Sequence, residues 1–561
     1  MTSAPVKLWL MEDVWDQVLE CCLKGDLARL ARVSRSMHSL ALDHLYRSIT
    51  TLEPVLQFLG PTDGPSIFRH SGGGLVFTTN QGLEAANWDR FIPYANRVRN
   101  LTYDETQFAA NSRPRVHESI FQEIGSTCPT RSLFPSLLSA NLLWRGAPSR
   151  GRFSILFMSE KLQRLAIDCD AECARYFLRS IPKVSPNLET IVLHCLKSTI
   201  STEADLVDLI RGLPLLKVID LPFQLLSSRT FAILSEHPQI QTIHQYSTQV
   251  NPENEPLIEG ASYRLGLSAA RFTRLGSLNI SIDLASLIDW LKSDLIPSSL
   301  ITLYVRLHTT TTHTPLRTCF DLISNALPDL VELSFDFYFH HRTTSGHATD
   351  IVEDTFDPLL RLKSLTIFVF DHPDPVLLAD TEVEKMVKAW SNLKHLSLGV
   401  SSLGIDNQCI LTLGVLIMVA ECRPDLRSLS LSINTKLPPS KEPSGVEAFT
   451  YHSFKLNVGN SPIHDTKAVA SFLCQILPHP GELMFCKELY GTVTGLEHMQ
   501  RLFTLRRERW EESKAWLKPL TAARASERER MKQMLSSMAS ELAQARRELT
   551  RLGKLREGTT W

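Results

Sequence analysis

The chain has 561 residues, more than a single hydrophobic core ordinarily serves, so two or more structural regions are expected. With 59 Lys and Arg against 60 Asp and Glu, the net charge of −1 supplies no global attraction to nucleic acid or a membrane surface, and neither is expected as a partner. No run of about 18 apolar residues and no secretory leader is apparent, and cysteines such as Cys195, Cys422 and Cys474 sit in apolar runs; the expectation is a cytoplasmic or nuclear protein with reduced thiols.

Residues 1–50 carry apolar side chains at helical spacing. Met11, Val14, Trp15, Val18, Leu19, Cys22 and Leu23 form one stripe, which Gly25 breaks. Asp26 is a suitable N-cap for a second helix with Leu27, Leu30, Ala31 and Val33, and Ser34 for a third with Met37, Leu40, Ala41, Leu45, Tyr46 and Ile49 inward. Three helices this short make a marginal domain, and docking on a partner is the simplest way to stabilise them.

Residues 51–87 read as a linker, and Ser71–Gly74 as its flexible part, since no Lys-Ser/Thr follows the glycines to make a phosphate loop. From 88 to 490 a degenerate phrase, Leu-x-x-Leu-x-Leu, recurs. Its lead positions are Leu162, Leu188, Leu216, Leu275, Leu300, Leu330, Leu362, Leu393 and Leu426, with weaker members at Val98, Leu137 and Ile240. Each phrase ends in period-two alternation, a short strand, and helix-period runs such as "ADLVDLIRGLP" and "CFDLISNALP" lie between. The pattern predicts an α/β fold: an irregular leucine-rich-repeat solenoid with one strand and one helix per unit. The asparagine expected eight residues after each lead survives as Asn434, while Asp170, Leu196, Tyr338 and Ser401 replace it elsewhere.

Chemistry-bearing motifs are weak. Cys169 and Cys173 lack a second pair, Cys21 and Cys22 are adjacent in a helical run, and His340-His341 opens a polar loop, so no metal, cofactor or catalytic residue is expected and the chain does not read as an enzyme. The third, fifth and seventh positions of each phrase should face away from the core. They include Arg164, Asp168, Val192, His194, Glu332, Thr366, His395, Ser428 and Ser430, and among them Tyr304, Arg306, Asp336 and Phe368 are the residues expected to bind a protein substrate. Polar insertions at 247–263, 309–315, 340–350 and 436–446 are further candidate contact loops. Residues 491–561 read as a basic helical tail, with 15 Lys and Arg against 8 Asp and Glu from Arg501 on. Pro519 is expected to separate two helices there. Leu535, Leu542 and Leu549, with Met538, Ala545 and Leu552, repeat every seven residues, which leaves open a short coiled coil, a partner-binding helix or a solvated tail.

The first fifty residues resemble an F-box: Leu10, Asp13-Val14-Trp15, Val18-Leu19, Asp26-Leu27, Leu30, Val33-Ser34-Arg35, Leu40 and Leu45-Tyr46 follow that family's spacing without a gap. The chain has Met11 where the family usually has proline, which presets φ at a helix start, and this leaves the strength of partner contact open. With the repeats, and with the Trp88 to Asp104 segment "WDRFIPYANRVRNLTYD", the resemblance is to F-box/leucine-rich-repeat receptors of SCF-type cullin-RING ubiquitin ligases, closest to their fungal set. It implies a Skp-family adaptor bound through Leu10, Val14, Trp15, Val18, Leu19, Leu27, Leu30 and Val33, a cullin-RING ligase reached through that adaptor, and an unknown protein substrate on the repeats. The alternative is a ligase-independent repeat scaffold.

Overall fold

The computed structural model describes residues 12–59, 67–71, 74–78, 88–105, 115–144, 148–169, 171–195, 203–222, 225–246, 272–293, 296–307, 312–337, 351, 353–372, 376–400, 409–441, 449–451, 453–477, 483–485 and 497–557. Leu10 and Met11 lie outside them, as do Asp170, Leu196, Tyr338, Ser401, all of 247–263 and 340–350, and parts of 309–315 and 436–446. The chain divides into two compact units, Met1–Ser281 with Ser293–Leu300, and Ile282–Lys292 with Ile301–Trp561.

The first unit begins with three helices, α1 (Glu12–Glu20), α2 (Lys24–Leu30) and α3 (Arg35–Arg47). Their small core is Leu19, Leu27 and Met37, with Trp15, Cys22, Leu30, Leu40 and Leu45 packed against it. Ser34 caps α3 as expected, its hydroxyl accepting from the Met37 amide at 3.2 Å. Asp26 does not cap α2. The helix starts earlier, from Leu23, and takes Gly25 into its first turn, where Asp26 suits the positive helix end.

The bundle runs directly into a sheet. Strand β1 (Ser48–Ile49) pairs in parallel with β2 (Asn100–Asp104), which continues through β3 (Ser139–Leu143), β4 (Arg164–Cys169), β5 (Thr190–Cys195), β6 (Val218–Pro222), β7 (Thr242–Tyr246) and β8 (Ser277–Ile282). Parallel neighbours require crossovers, and helices over Glu118–Thr127, Ala171–Val184, Glu203–Arg211 and Ser228–Glu236 supply them, with a 3-10 segment over Pro148–Phe157. Alternate residues fill the core: Leu101 and Tyr103, Ala140 and Leu142, Leu165 and Ile167, Ile191 and Leu193, Ile219 and Leu221 are all buried.

The Trp88 to Asp104 segment is the joint between bundle and sheet. Helix α4 (Trp88–Ala95) buries Phe91 and Ala95, and Val98 and Leu101 follow into the core. Tyr94 stacks on Phe58 with centroids 3.9 Å apart and meets Tyr46 of α3 edge-on at 5.2 Å. Arg97 reaches back to α3, donating to the Ser39 carbonyl at 3.0 Å and pairing with Asp43. Residues 51–59, expected as linker, are part of this joint, since Leu52, Val55, Leu56 and Leu59 are buried. Ser71 and Gly74 are also not a loose tether. They are the end pair of an antiparallel hairpin, Ile67–Ser71 against Gly74–Thr78.

The second unit repeats the strand–crossover arrangement. Strands β9 (Thr302–Leu307), β10 (Glu332–Phe337), β11 (Ile367–Asp371), β12 (His395–Leu398), β13 (Ser428–Leu431), β14 (Lys455–Asn457) and β15 (Leu483–Met484) are parallel and in chain order. Leu303, Leu333, Phe368, Leu396, Leu429 and Leu456 are cross-strand partners, a continuous inner row with every member buried. At roughly 1.5–3 kcal/mol for each fully buried aliphatic side chain, such rows supply the main favourable term of the fold. Asn434 is buried, and its amide is held by backbone: Nδ2 donates to the Cys409 carbonyl at 3.2 Å, and Oδ1 accepts from the Lys436 amide at 3.1 Å.

Two expectations fail here. The repeat before His395 starts at Leu365 and not at Leu362, so Phe368 occupies the inner row with 0% exposure and faces no ligand. The aromatic pair Phe368 and Phe370 prefers the dry side, and Ile367, Val369 and Asp371 are turned outward in its place. Pro519 does not divide the tail either. Helix α5 (Glu497–Glu557) runs through it, and the Thr521 hydroxyl donates to the Leu517 carbonyl at 2.7 Å, beside the proline that carries no N–H of its own.

Candidate interaction faces

The N-terminal bundle separates the residues expected at an adaptor contact into two groups. Leu19 and Leu27, at 1% and 4% exposure, hold the bundle together and present no surface to a partner, which corrects their expected role. Val14, Trp15 and Leu30 are half-buried. Val18 and Val33 are exposed at 45% and 72%, and Leu23, part of the apolar stripe but not among the residues expected at the adaptor contact, at 76%. Exposed aliphatic side chains on so small a core leave apolar area for a partner to cover. Polar contacts steady the helices that carry them: His44 Nε2 lies 2.8 Å from Asp16 Oδ1, and His38 Nδ1 lies 2.7 Å from the Ala31 carbonyl.

On the second unit the outward side chains fall into registered rows. Thr302, Glu332, Ile367, His395, Ser428 and Lys455 make one, and Tyr304, Ser334, Val369, Ser397, Ser430 and Asn457 the next. Arg306, Asp336 and Asp371 begin a third. Three of the expected substrate residues meet here. Tyr304 Oη donates to Asp336 Oδ2 at 2.8 Å, Arg306 Nε donates to the same oxygen at 2.9 Å, and Arg306 Nη2 donates to Tyr304 Oη at 3.2 Å. Burial, then the Asp336 charge, pushes the Tyr304 phenol up to about 12. Burial draws the Arg306 guanidinium down, but Tyr304 and Asp336 more than offset it, so the cation is held above its usual value. The trio is thus a pre-oriented polar platform of half-buried groups. It has a planar cation and an aromatic ring, the side chains that most often anchor protein contacts, and Asp336 accepts both hydrogen bonds with Asp371 next to it in register.

Farther along the rows, burial and the nearby Arg427 lower His395, partly countered by Glu332, so it favours the neutral imidazole. Arg427 itself lies over the Tyr451 ring at 5.4 Å. In the first unit, Arg164 is exposed as expected, but Asp168 is only 2% exposed and aligned with His194, which removes it from an open face. Asp220, between Val192 and His244 in register, was not anticipated; burial raises its carboxyl to about 6. Among the described residues no group of three or more His, Cys, Asp or Glu could hold a metal ion, and no helix is long and apolar enough to cross a membrane. No protein-family model and no curated protein matches the chain.

Proposed function

We propose that this chain is the substrate-recognition subunit of an SCF-type cullin-RING ubiquitin ligase, binding a Skp-family adaptor through its N-terminal helices and a protein substrate through the outward rows of its parallel strands. The observation that carries this reading is the bundle: a core of Leu19, Leu27 and Met37 with Val18, Leu23 and Val33 left exposed, on a segment whose sequence spacing resembles an F-box. The chain's contribution to ubiquitin transfer is then proximity, since holding a substrate lysine near a charged carrier raises its effective concentration.

A second reading has its own support. The pairing of β1 with β2 and the Arg97–Asp43 contact make the bundle a cap on the first sheet, which a ligase-independent scaffold would also need. The two are separated by Val18→Asp and Val33→Asp in the full chain, tested for co-purification with a Skp-family adaptor. Both positions are exposed, so the substitutions leave thermal stability within about 0.5 kcal/mol of the parent while abolishing capture. A parent chain that does not capture the adaptor, or variants that capture it equally well, would refute the ligase reading.

A further inference from the structure

The long helix α5 changes character after Arg524. Every side chain described from Ala525 to Thr550 is exposed, whereas Trp510, Ser513 and Leu517 earlier in the same helix are fully buried. Isolated helices are marginal in water without an apolar face to bury, and this segment has one. With Leu535, Leu542 and Leu549 at heptad position a, Met531, Met538, Ala545 and Leu552 fall at d, and Arg528 takes the first a position at the end of the apolar seam. Met531, Leu535, Met538, Leu542 and Leu549 are exposed at 58%, 60%, 53%, 61% and 68%.

The flanking charges specify what covers this seam. The g positions hold Glu527, Glu541 and Glu548, and the e positions Lys532 and Arg546. In a parallel pair, g of one helix faces e of the following heptad in the other. That register sets Glu541 against Arg546, and Glu527 against Lys532, twice each by symmetry. An antiparallel pair would set g against g and e against e, acid on acid and base on base, which is unfavourable. Glu541, Glu548 and Arg546 beside the seam also disfavour bundles of three or more helices, where e and g become buried. Between the charged pairs, Met534 at g and Ala539 at e widen the apolar contact. The sequence of one helix is thus complementary to itself in one orientation.

We infer that residues 527–552 form a parallel two-stranded coiled coil with a second copy of this chain, making the protein a homodimer. The anchored half of α5, which ends before the seam, brings the two bodies to the same end of the coil.

Sedimentation or light scattering of the full-length protein tests this. The expected mass is twice the 63.2 kDa of the chain. Leu535→Glu with Leu542→Glu gives the single-chain mass, and the thermal transition of the body is unchanged because both positions are exposed. Glu541→Arg alone sets like charges opposed in two symmetric places and weakens the dimer about tenfold. Adding Arg546→Glu restores it. A parent protein at the single-chain mass, a trimer or larger, or a dimer indifferent to the leucine substitutions overturns the proposal. So does a dimer tightened by Glu541→Arg, the result an antiparallel pair would give.

Discussion

Tyr304, Arg306 and Asp336 form a unit because neighbouring parallel strands place Arg306 directly opposite Asp336, with Tyr304 two residues back on the same face. The pinned phenol has a measurable consequence. Its value rises from 10.0 to about 12 on folding. The folded state therefore keeps its proton when the unfolded chain has lost it. Stability from this group is complete below pH 10 and is lost as the pH rises from 10 through about 12. Discounted for the solvent the ring still meets, the loss is about 1–2 kcal/mol. Denaturant unfolding at pH 9 and pH 11.5 should show Tyr304→Phe with a shallower alkaline decline than the parent by that amount; equal declines would remove the phenol from the account. At this scale the sequence was legible where alternation was clean. Leu303, Val305 and Leu307 forced Tyr304 and Arg306 outward. Around Phe368 two overlapping readings both fit, one led by Leu362 and the other by Leu365, and only cross-strand register decided between them.

Helix α5 joins two environments within one element. Its first part is held by Trp510, 1% exposed, whose indole N–H donates to the Ser461 carbonyl at 2.9 Å. Arg506 and Arg509 donate to the Asn460 and Ile463 carbonyls, each at 3.0 Å, and Lys514 to the Leu483 carbonyl at 2.8 Å. These three cations at backbone oxygens give part of the tail's basic charge a structural use. Trp510→Ala leaves a large void and an unmatched carbonyl, and it should cost about 3–5 kcal/mol of the second unit's stability, seen as a lower denaturant midpoint. A chain ended after Arg524 should unfold with the parent, because every side chain described from Ala525 to Thr550 is exposed. Sequence reading placed helices on both sides of Pro519 but expected a break. A proline in a helix costs roughly 3 kcal/mol, and burial of Leu517 just before it, with the Arg524 contact to Gln475 at 3.3 Å after it, opposes that cost. Such compensation is tertiary, and nothing local in the sequence announces it.

For the molecule as a whole, the decisive question is how far the N-terminal bundle can be separated from the body that it precedes. Sequence reading drew a domain boundary at residue 50 followed by a linker, because the helical period stops there and glycines follow. The chain instead continues from α3 straight into β1, and the joint contains some of its best-packed side chains: Ala41, Val55 and Val98 at 0% exposure, Ile49 at 4%. Ser48 and Ile49 cover the edge of β2 at Asn100 and Leu101. An uncovered parallel edge beside exposed apolar surface is a site for aggregation. Deletion of residues 1–50 should therefore lower the melting temperature of the first unit and raise light scattering, in contrast to Val18→Asp and Val33→Asp, which alter only exposed positions. If the deleted protein instead melts with the parent and stays monodisperse in its assembly state, the bundle is an independent module and the capping role falls. If it aggregates while the point variants are stable and lose the adaptor, one small segment both closes the first sheet and docks a partner, with Leu19, Leu27 and Met37 serving the first role and Val18 and Val33 the second.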